Sequence, residues 1–324
     1  MSANPEGAAA DTPRNTASLF ARVSRNSERI IIPINDSALN PANDLPAIYC
    51  LHDITGAAGS EYVDLAQRLD KDVRFYGVQA PPKKMQDPRF GESIESLAAC
   101  YAEALQRFQP TGPFFVGGFC AGAIVALEIA QQLVVSGRQV GLLVAIDAAP
   151  ENTHPEWKPW YPTYLLALAR NVPGWIQLGG LTRQKDGHSL GRRIAHSAIA
   201  LGRSALGHNP TQNRAGEYSI DGWMDLTRYP IEQRQFINRF YAACFKYFAK
   251  DYHGEVVIYE ANTKPLFHLP QLHSRWRGIA PRAVTKSVPG THHCLMREPY
   301  VISMARDVPQ RIQAYLAASS DRTQ

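Results

Sequence analysis

Short apolar runs alternate with amphipathic segments along much of the chain, a pattern typical of a parallel β-sheet covered by helices on both faces. The apolar runs predict strands over residues 47–51, 73–78, 114–118, 141–147, 255–259 and 283–288. Helical spacing of apolar residues predicts helices over 60–69, 93–108 and 121–136, near 272–277 and near 300–316. We therefore expect an α/β protein with a mostly parallel central sheet.

The alternation lapses in the middle of the chain, and both ends are polar. Residues 1–29 show no hydrophobic period and are expected to form a flexible tail, as are residues 319–324. The α/β core is expected over 30–150 and 253–318. The intervening stretch, 151–252, is too long for a plain loop, so we interpret it as a helical lid insertion.

The amino-acid composition excludes several classes of protein. The 324 residues are 45% hydrophobic and 19% charged, with a formal net charge of +5, which excludes a disordered or fibrous chain. Five cysteines are too few for a disulfide scaffold, so a reducing, cytoplasmic compartment is expected. The sequence has no membrane-spanning run, no signal-peptide pattern at its start and no nucleic-acid-binding motif.

The segment Gly118-Phe119-Cys120-Ala121-Gly122 lies between a predicted strand and a predicted helix. It has the form of the G-x-S-x-G nucleophile elbow, with cysteine in place of serine. The two glycines leave room for neighbouring backbone to come close. The start of the helix favours an anion at Cys120, which suits a nucleophilic sulfur.

A nucleophile needs a base, and the base needs an orienting group. Asp147 ends a predicted strand, and His292 follows the last one, within VPGTHHCLM (288–296). This gives the order nucleophile, acid, base that α/β-hydrolases use. His293 is the alternative base. Three consecutive residues, His292, His293 and Cys294, converge poorly on one ion, so no metal is expected.

An oxyanion hole is the remaining requirement for acyl transfer. In an α/β-hydrolase one donor is the backbone N–H after the nucleophile, here Ala121, and the second lies in a loop after an earlier strand. We assign the second donor to Ile54, in the loop LHDITGAAG (51–59). His52, in the same loop, is either a residue that supports the site from behind the reacting groups or a structural histidine with satisfied hydrogen bonds, and the structural interpretation is favoured.

The sequence resembles the type I thioesterase domains that end nonribosomal peptide synthetases and polyketide synthases, which are α/β-hydrolases. The resemblance rests on segments spread over the chain: YGVQAP (76–81), QPTGPFFVGGFCAG (109–122), VALEIAQQL (125–133), GEVVIYEA (254–261) and VPGTHHCLMREPYV (288–301).

The resemblance implies a Cys120–His292–Asp147 triad, an oxyanion hole formed by Ala121 and Ile54, and a helical lid. It also implies an acyl or peptidyl substrate carried on the phosphopantetheine arm of a carrier protein, with no cofactor bound to the enzyme itself. Most members of the family have serine at the position of Cys120. No carrier site is present in 1–29, so we expect either a stand-alone protein or a piece of a larger synthetase.

A thioester on Cys120 would remain activated, so release by an amine or by ring closure is favoured over simple hydrolysis. The basic segment 181–216 is either a docking surface for an acidic carrier protein or a solvated helix face. Two other functions also fit the sequence. One is a stand-alone cysteine hydrolase of small esters or lactones, and the other is a non-catalytic scaffold with this fold.

Overall fold

The structure is a computed structural model that describes residues 27–40, 42–151, 220, 224–263, 272–292 and 294–321. Within these residues a single seven-stranded sheet has the order β1-β3-β2-β4-β5-β6-β7. The strands are β1 Ile31–Pro33, β2 Ala47–Leu51, β3 Arg74–Val78, β4 Phe114–Phe119, β5 Val140–Ile146, β6 Val256–Thr263 and β7 Val284–Thr291.

Helices connect most of these strands and cover both faces of the sheet. They are α1 Val63–Arg68, α2 Pro82–Met85, α3 Ile94–Phe108, α4 Ala121–Val135, α5 Ile231–Lys246, α6 Leu272–Ile279 and α7 Ile302–Ser320. Among the described helices, none combines the length and the hydropathy that a bilayer span requires.

Six of the seven strands are the predicted ones, and they run parallel to one another. The strand β1 was not predicted. It pairs antiparallel with β3, with Ile31 opposite Val78, and its three residues are too few to show a hydrophobic period. The short helix α2 was not predicted either, and Pro82 occupies a position at its start that tolerates proline.

The predicted tails meet the folded core at both ends. The Gln79 side chain donates hydrogen bonds to the carbonyl oxygens of Ser27 and Arg29, in the segment predicted as a tail. At the other end, α7 continues to Ser320. Most of the predicted lid, including the basic segment 181–216, lies outside the described residues, whereas α5 belongs to the described part of that region.

Apolar side chains fill a layer on each face of the sheet. On one face, Leu97 of α3, Leu127 of α4 and Phe240 of α5 are fully buried. On the other face, Leu65 of α1 and Ile312 of α7 pack in a second cluster. With helices on both faces, functional side chains are positioned at the edge where the parallel strands end.

One buried tyrosine joins the ends of two neighbouring strands. The Tyr62 hydroxyl donates to the carbonyl oxygen of Leu51 at 2.6 Å and accepts from the backbone N–H of Phe119 at 2.8 Å. Leu51 ends β2 and Phe119 ends β4, so this hydroxyl fixes the spacing between two loops that leave the sheet side by side.

Candidate active site

The backbone turns sharply at Cys120, between β4 and α4. This residue has φ 55° and ψ −131°, in the left-handed region that side chains other than glycine rarely adopt. Its N–H donates to Ile146 O at 3.1 Å, and its carbonyl accepts from the Ala123 N–H at 3.1 Å. The thiol is partly exposed at the edge of the sheet. This is the geometry expected of a nucleophile elbow.

The glycines of the motif permit two close backbone approaches. A Cβ at Gly118 would overlap the backbone of Gly122. A Cβ at Gly122 would lie 2.6 Å from the carbonyl oxygen of Leu51 and closer still to that of His52. The loop after β2 therefore packs directly against the Cys120 turn, and this contact brings the two predicted oxyanion segments together.

Asp147 follows β5 and faces His292, which follows β7 on the other side of β6. Its carboxylate Oδ2 lies 2.8 Å from Nδ1 of His292, and its Oδ1 accepts from the Ala261 N–H at 2.9 Å. Asp147 is itself in the left-handed region, at φ 47°, and its N–H donates to Tyr259 O. The carboxylate is thus held between β5 and β6, with a side chain only 3% exposed.

The His292 ring is positioned from two sides. It stacks on Phe119, the residue before Cys120, with ring centroids 4.5 Å apart. Because Nδ1 faces Asp147, Nε2 is the ring nitrogen that remains for another partner. The end of β7 is tied to β6, where the Asn262 side-chain oxygen accepts from the Gly290 N–H. His293, the alternative base, lies outside the described residues.

The charges around His292 favour its protonated form. Burial alone would lower the pKa of His292, but the charge interaction with Cys120 and the hydrogen bond to Asp147 outweigh burial and raise the pKa to about 10. The surroundings therefore favour the imidazolium form of His292, and the Asp147 carboxylate faces its Nδ1.

The two N–H groups predicted to form the oxyanion hole are not used by the protein itself. Within the described ranges, the N–H groups of Ile54 and Ala121 donate no hydrogen bond to any protein acceptor. Ala121 is the first residue of α4, and Ile54 lies in the loop that contacts Gly122. An oxyanion hole needs such unoccupied donors, and its assignment to these two groups stays a prediction.

Two further carboxylates lie within electrostatic range of His292, and the sequence analysis did not single them out. Burial raises the pKa of Asp53 and of Glu61, while the charge of His292 acts in the opposite direction on both. In the sequence, the position of Asp53 shortly after an apolar strand could have indicated that it lies near the site. The part of the chain that the structure describes contains no group of three or more His, Cys, Asp or Glu residues that could hold a metal.

Part of the chain is similar to known proteins in sequence. Residues 46–163 match the family model described as "Thioesterase domain". The probable non-canonical nonribosomal peptide synthetase CymA of Salinispora arenicola is 33% identical over 118 residues, covering 36% of this chain and 2% of that protein. The non-reducing polyketide synthase Preu8 of Preussia isomera is 34% identical over 109 residues, covering 34% of this chain and 5% of that protein. The chain spans a small fraction of either relative.

Solved structures are similar to this chain over most of its length. The NocB thioesterase domain, in covalent complex with a fluorophosphonate nocardicin G analogue, matches with a TM-score of 0.53 at 21% identity. The match covers 89% of this chain and 100% of that one. The predicted α/β-hydrolase fold, with a mostly parallel central sheet and helices on both faces, is confirmed.

Replacing Gly122 by alanine tests the close approach of the two loops. The added methyl group would overlap backbone oxygens that cannot move independently, so Gly122→Ala should destabilise the fold by about 2–3 kcal/mol. Urea unfolding followed by circular dichroism measures the change. Gly278→Ala is the matched control, because no atom lies within 4 Å of its Cβ position, and its stability should stay within about 1 kcal/mol. Equal stability of the two variants would contradict the contact.

Replacing Cys120 by serine tests the charge coupling to His292. Serine does not ionise, so the variant removes the charge contribution of Cys120 and the pKa of His292 should fall below about 10. In the wild type, the stability gained from protonated His292 is complete below its ordinary pKa of 6.5 and is lost as the pH rises through about 10. In Cys120→Ser this loss should begin at a lower pH. NMR titration of the imidazole signals measures the shift.

His52 is the internal control for this titration. Burial lowers its pKa to about 4, and Cys120 does not contribute to that shift. The His52 signals should therefore titrate alike in both proteins. An unchanged pKa of His292 in Cys120→Ser would show that the sulfur carries no charge next to the ring.

Proposed function

We propose that this protein is a thioesterase or acyltransferase that takes an acyl or peptidyl chain from the phosphopantetheine thioester of a carrier protein onto Cys120. The chain is then released to an amine, by ring closure or to water, in natural-product biosynthesis. The observation that carries the proposal is the 2.8 Å contact between His292 and Asp147, with the same ring stacked on Phe119, the residue before Cys120. These three residues act as nucleophile, base and orienting acid.

Acylation follows from the positions of these groups. The Cys120 sulfur, whose proton passes to His292, attacks the thioester carbonyl carbon and forms a new C–S bond. The carbonyl oxygen becomes an oxyanion that the N–H groups of Ala121 and Ile54 stabilise. When the intermediate collapses, the bond to the pantetheine sulfur breaks, and His292 returns the proton to that leaving sulfur.

In the release step, His292 acts as the base toward the incoming group and Cys120 becomes the leaving group. His292 accepts a proton from the incoming amine, hydroxyl or water as this group attacks the acyl carbon. The bond to Cys120 breaks, and the sulfur leaves as a thiolate next to the imidazolium. Throughout, Asp147 orients the ring and balances its charge, because its second oxygen is fixed by the Ala261 N–H.

A cysteine nucleophile changes the energetics of the intermediate. Transfer from the pantetheine thioester to Cys120 exchanges one thioester for another and is nearly thermoneutral. The acyl group remains activated, whereas an oxoester on serine would be less reactive toward amines. This chemistry favours aminolysis or closure of a strained ring as the release step.

The comparisons support the substrate class. The family model that matches residues 46–163 is a thioesterase domain, and CymA and Preu8 are a nonribosomal peptide synthetase and a polyketide synthase. Such synthetases carry their chains on phosphopantetheine, so a carrier protein is the proposed partner. The lid over 151–252 is the proposed cover of the acyl chain.

Intact-mass measurement after incubation with an acyl-loaded carrier protein tests the proposal. We expect a mass increase equal to the acyl group, located on Cys120 by peptide mapping and absent in Cys120→Ala. Cys100→Ser is the matched control, because it removes another partly exposed thiol and should leave acylation unchanged. In His292→Ala, acylation should slow by at least about 10²-fold.

The same measurement separates the alternative functions. Turnover of free esters or lactones without reaction with the carrier would favour the stand-alone hydrolase. No adduct and no turnover with either substrate would favour the non-catalytic scaffold. Adding water alone or a candidate amine to the trapped acyl-enzyme then distinguishes hydrolysis from aminolysis, and purely hydrolytic release would remove the argument from the thioester.

A further inference from the structure

The loop after β2 that carries Ile54 also contains a buried histidine, His52. The side chain of His52 is completely buried. Its ring is surrounded by Tyr101, Phe236 and Phe240, at centroid distances of 5.6, 5.8 and 5.4 Å. Its Nδ1 lies 2.6 Å from the carbonyl oxygen of Asp53, and its Nε2 lies 2.7 Å from the Tyr101 hydroxyl.

These partners define the tautomer of the ring. A carbonyl oxygen can only accept, so Nδ1 of His52 carries the hydrogen that reaches Asp53. Burial lowers the pKa of His52 to about 4, so near neutral pH the ring is uncharged. Its Nε2 is therefore an acceptor, and the Tyr101 hydroxyl donates to it.

The bond to Asp53 orients one particular peptide group. The carbonyl of Asp53 and the N–H of Ile54 belong to the same planar peptide, and in a trans peptide the two point in opposite directions. Drawing the carbonyl inward toward His52 therefore turns the Ile54 N–H outward. The Gly56 N–H also donates to this carbonyl, at 3.2 Å, and closes the turn.

The neighbouring contacts hold the same turn next to the nucleophile. One carboxylate oxygen of Asp53 accepts from the backbone N–H of Thr55 at 2.9 Å, which keeps that N–H away from a substrate. The carbonyl oxygen of His52 itself packs against Gly122, two residues after Cys120. In the described ranges the N–H groups of Asp53 and Ile54 have no protein acceptor, and the Ile54 N–H is the one that shares a peptide group with the Asp53 carbonyl.

We propose that His52 is a positioning residue for the oxyanion hole: its Nδ1–H bond to the Asp53 carbonyl sets the orientation of the 53–54 peptide and aims the Ile54 N–H at the oxygen of the acyl group on Cys120. The inference rests on the proposed function, because it assigns His52 a part in that same acyl transfer. His52 does not touch the substrate, and Tyr101 acts through it by fixing its tautomer.

Two substitutions separate the position of the donor from the presence of a polar side chain. In His52→Asn the side-chain amide nitrogen can occupy the place of Nδ1 and donate to the Asp53 carbonyl. In His52→Gln the amide lies one atom further out, on the side of Tyr101. We expect His52→Gln to lose about 10²-fold or more in the rate of Cys120 acylation by a short acyl-pantetheine thioester, with KM little changed. His52→Asn should stay within about tenfold of the wild type.

A reaction that forms no oxyanion provides the control. Iodoacetamide alkylates Cys120 by displacement of iodide from a saturated carbon. This reaction needs the sulfur and His292 but forms no oxyanion, so its rate should be the same in the wild type and both variants. Thermal unfolding shows whether each variant is folded. Equal acylation by the two variants, or a parallel loss of acylation and alkylation, would overturn the inference and leave His52 a structural residue.

An NMR measurement on the wild type tests the same inference without any activity. Nitrogen-15 signals of the ring should show hydrogen on Nδ1 of His52 and none on Nε2 near neutral pH. The opposite tautomer would overturn the inference even if neither variant folds. If the wild type is not acylated at all, the proposed function fails, whereas acylation of the wild type with no difference between the variants rejects only the role of His52.

Discussion

The left-handed backbone at Cys120 is the constraint on which the candidate site depends. A non-glycine residue in this region costs on the order of 1–3 kcal/mol, so the surrounding structure must hold it in place. The hydrogen bond to Ile146 and the close approach of Leu51 and His52 to Gly122 do this. Any loosening of the loop after β2 would act on the sulfur and on the Ile54 N–H together.

The polar groups of the site come from separate strand ends, and each is tied to a neighbour. Asp147 is fixed between β5 and β6, and His292 is stacked on Phe119, the residue before the nucleophile. Burial works against charge on the ring, yet Cys120 and Asp147 together outweigh burial. The protein thus favours a positive charge on a half-buried ring by placing polar partners next to it, which is the usual condition for a charge withdrawn from water.

Much of this architecture could be predicted from the sequence, because apolar runs and helical spacing report burial directly. The six parallel strands and the motif around Cys120 were predicted in this way. The strand β1 was too short to show a period, and the proline at the start of α2 indicated a loop as readily as a helix. The bond from His52 to Asp53 could not be predicted, since it depends on three aromatic rings from distant segments that close over the imidazole.

The separation of the site residues along the chain has a consequence for how the protein matures. His292 contacts a residue 145 positions before it, so the pair forms only after β6 and β7 have joined the sheet. Contacts between such remote segments are slow to form during folding. During synthesis on the ribosome, Asp147 therefore emerges long before His292, and the contact between them waits for the strand β7 that precedes His292.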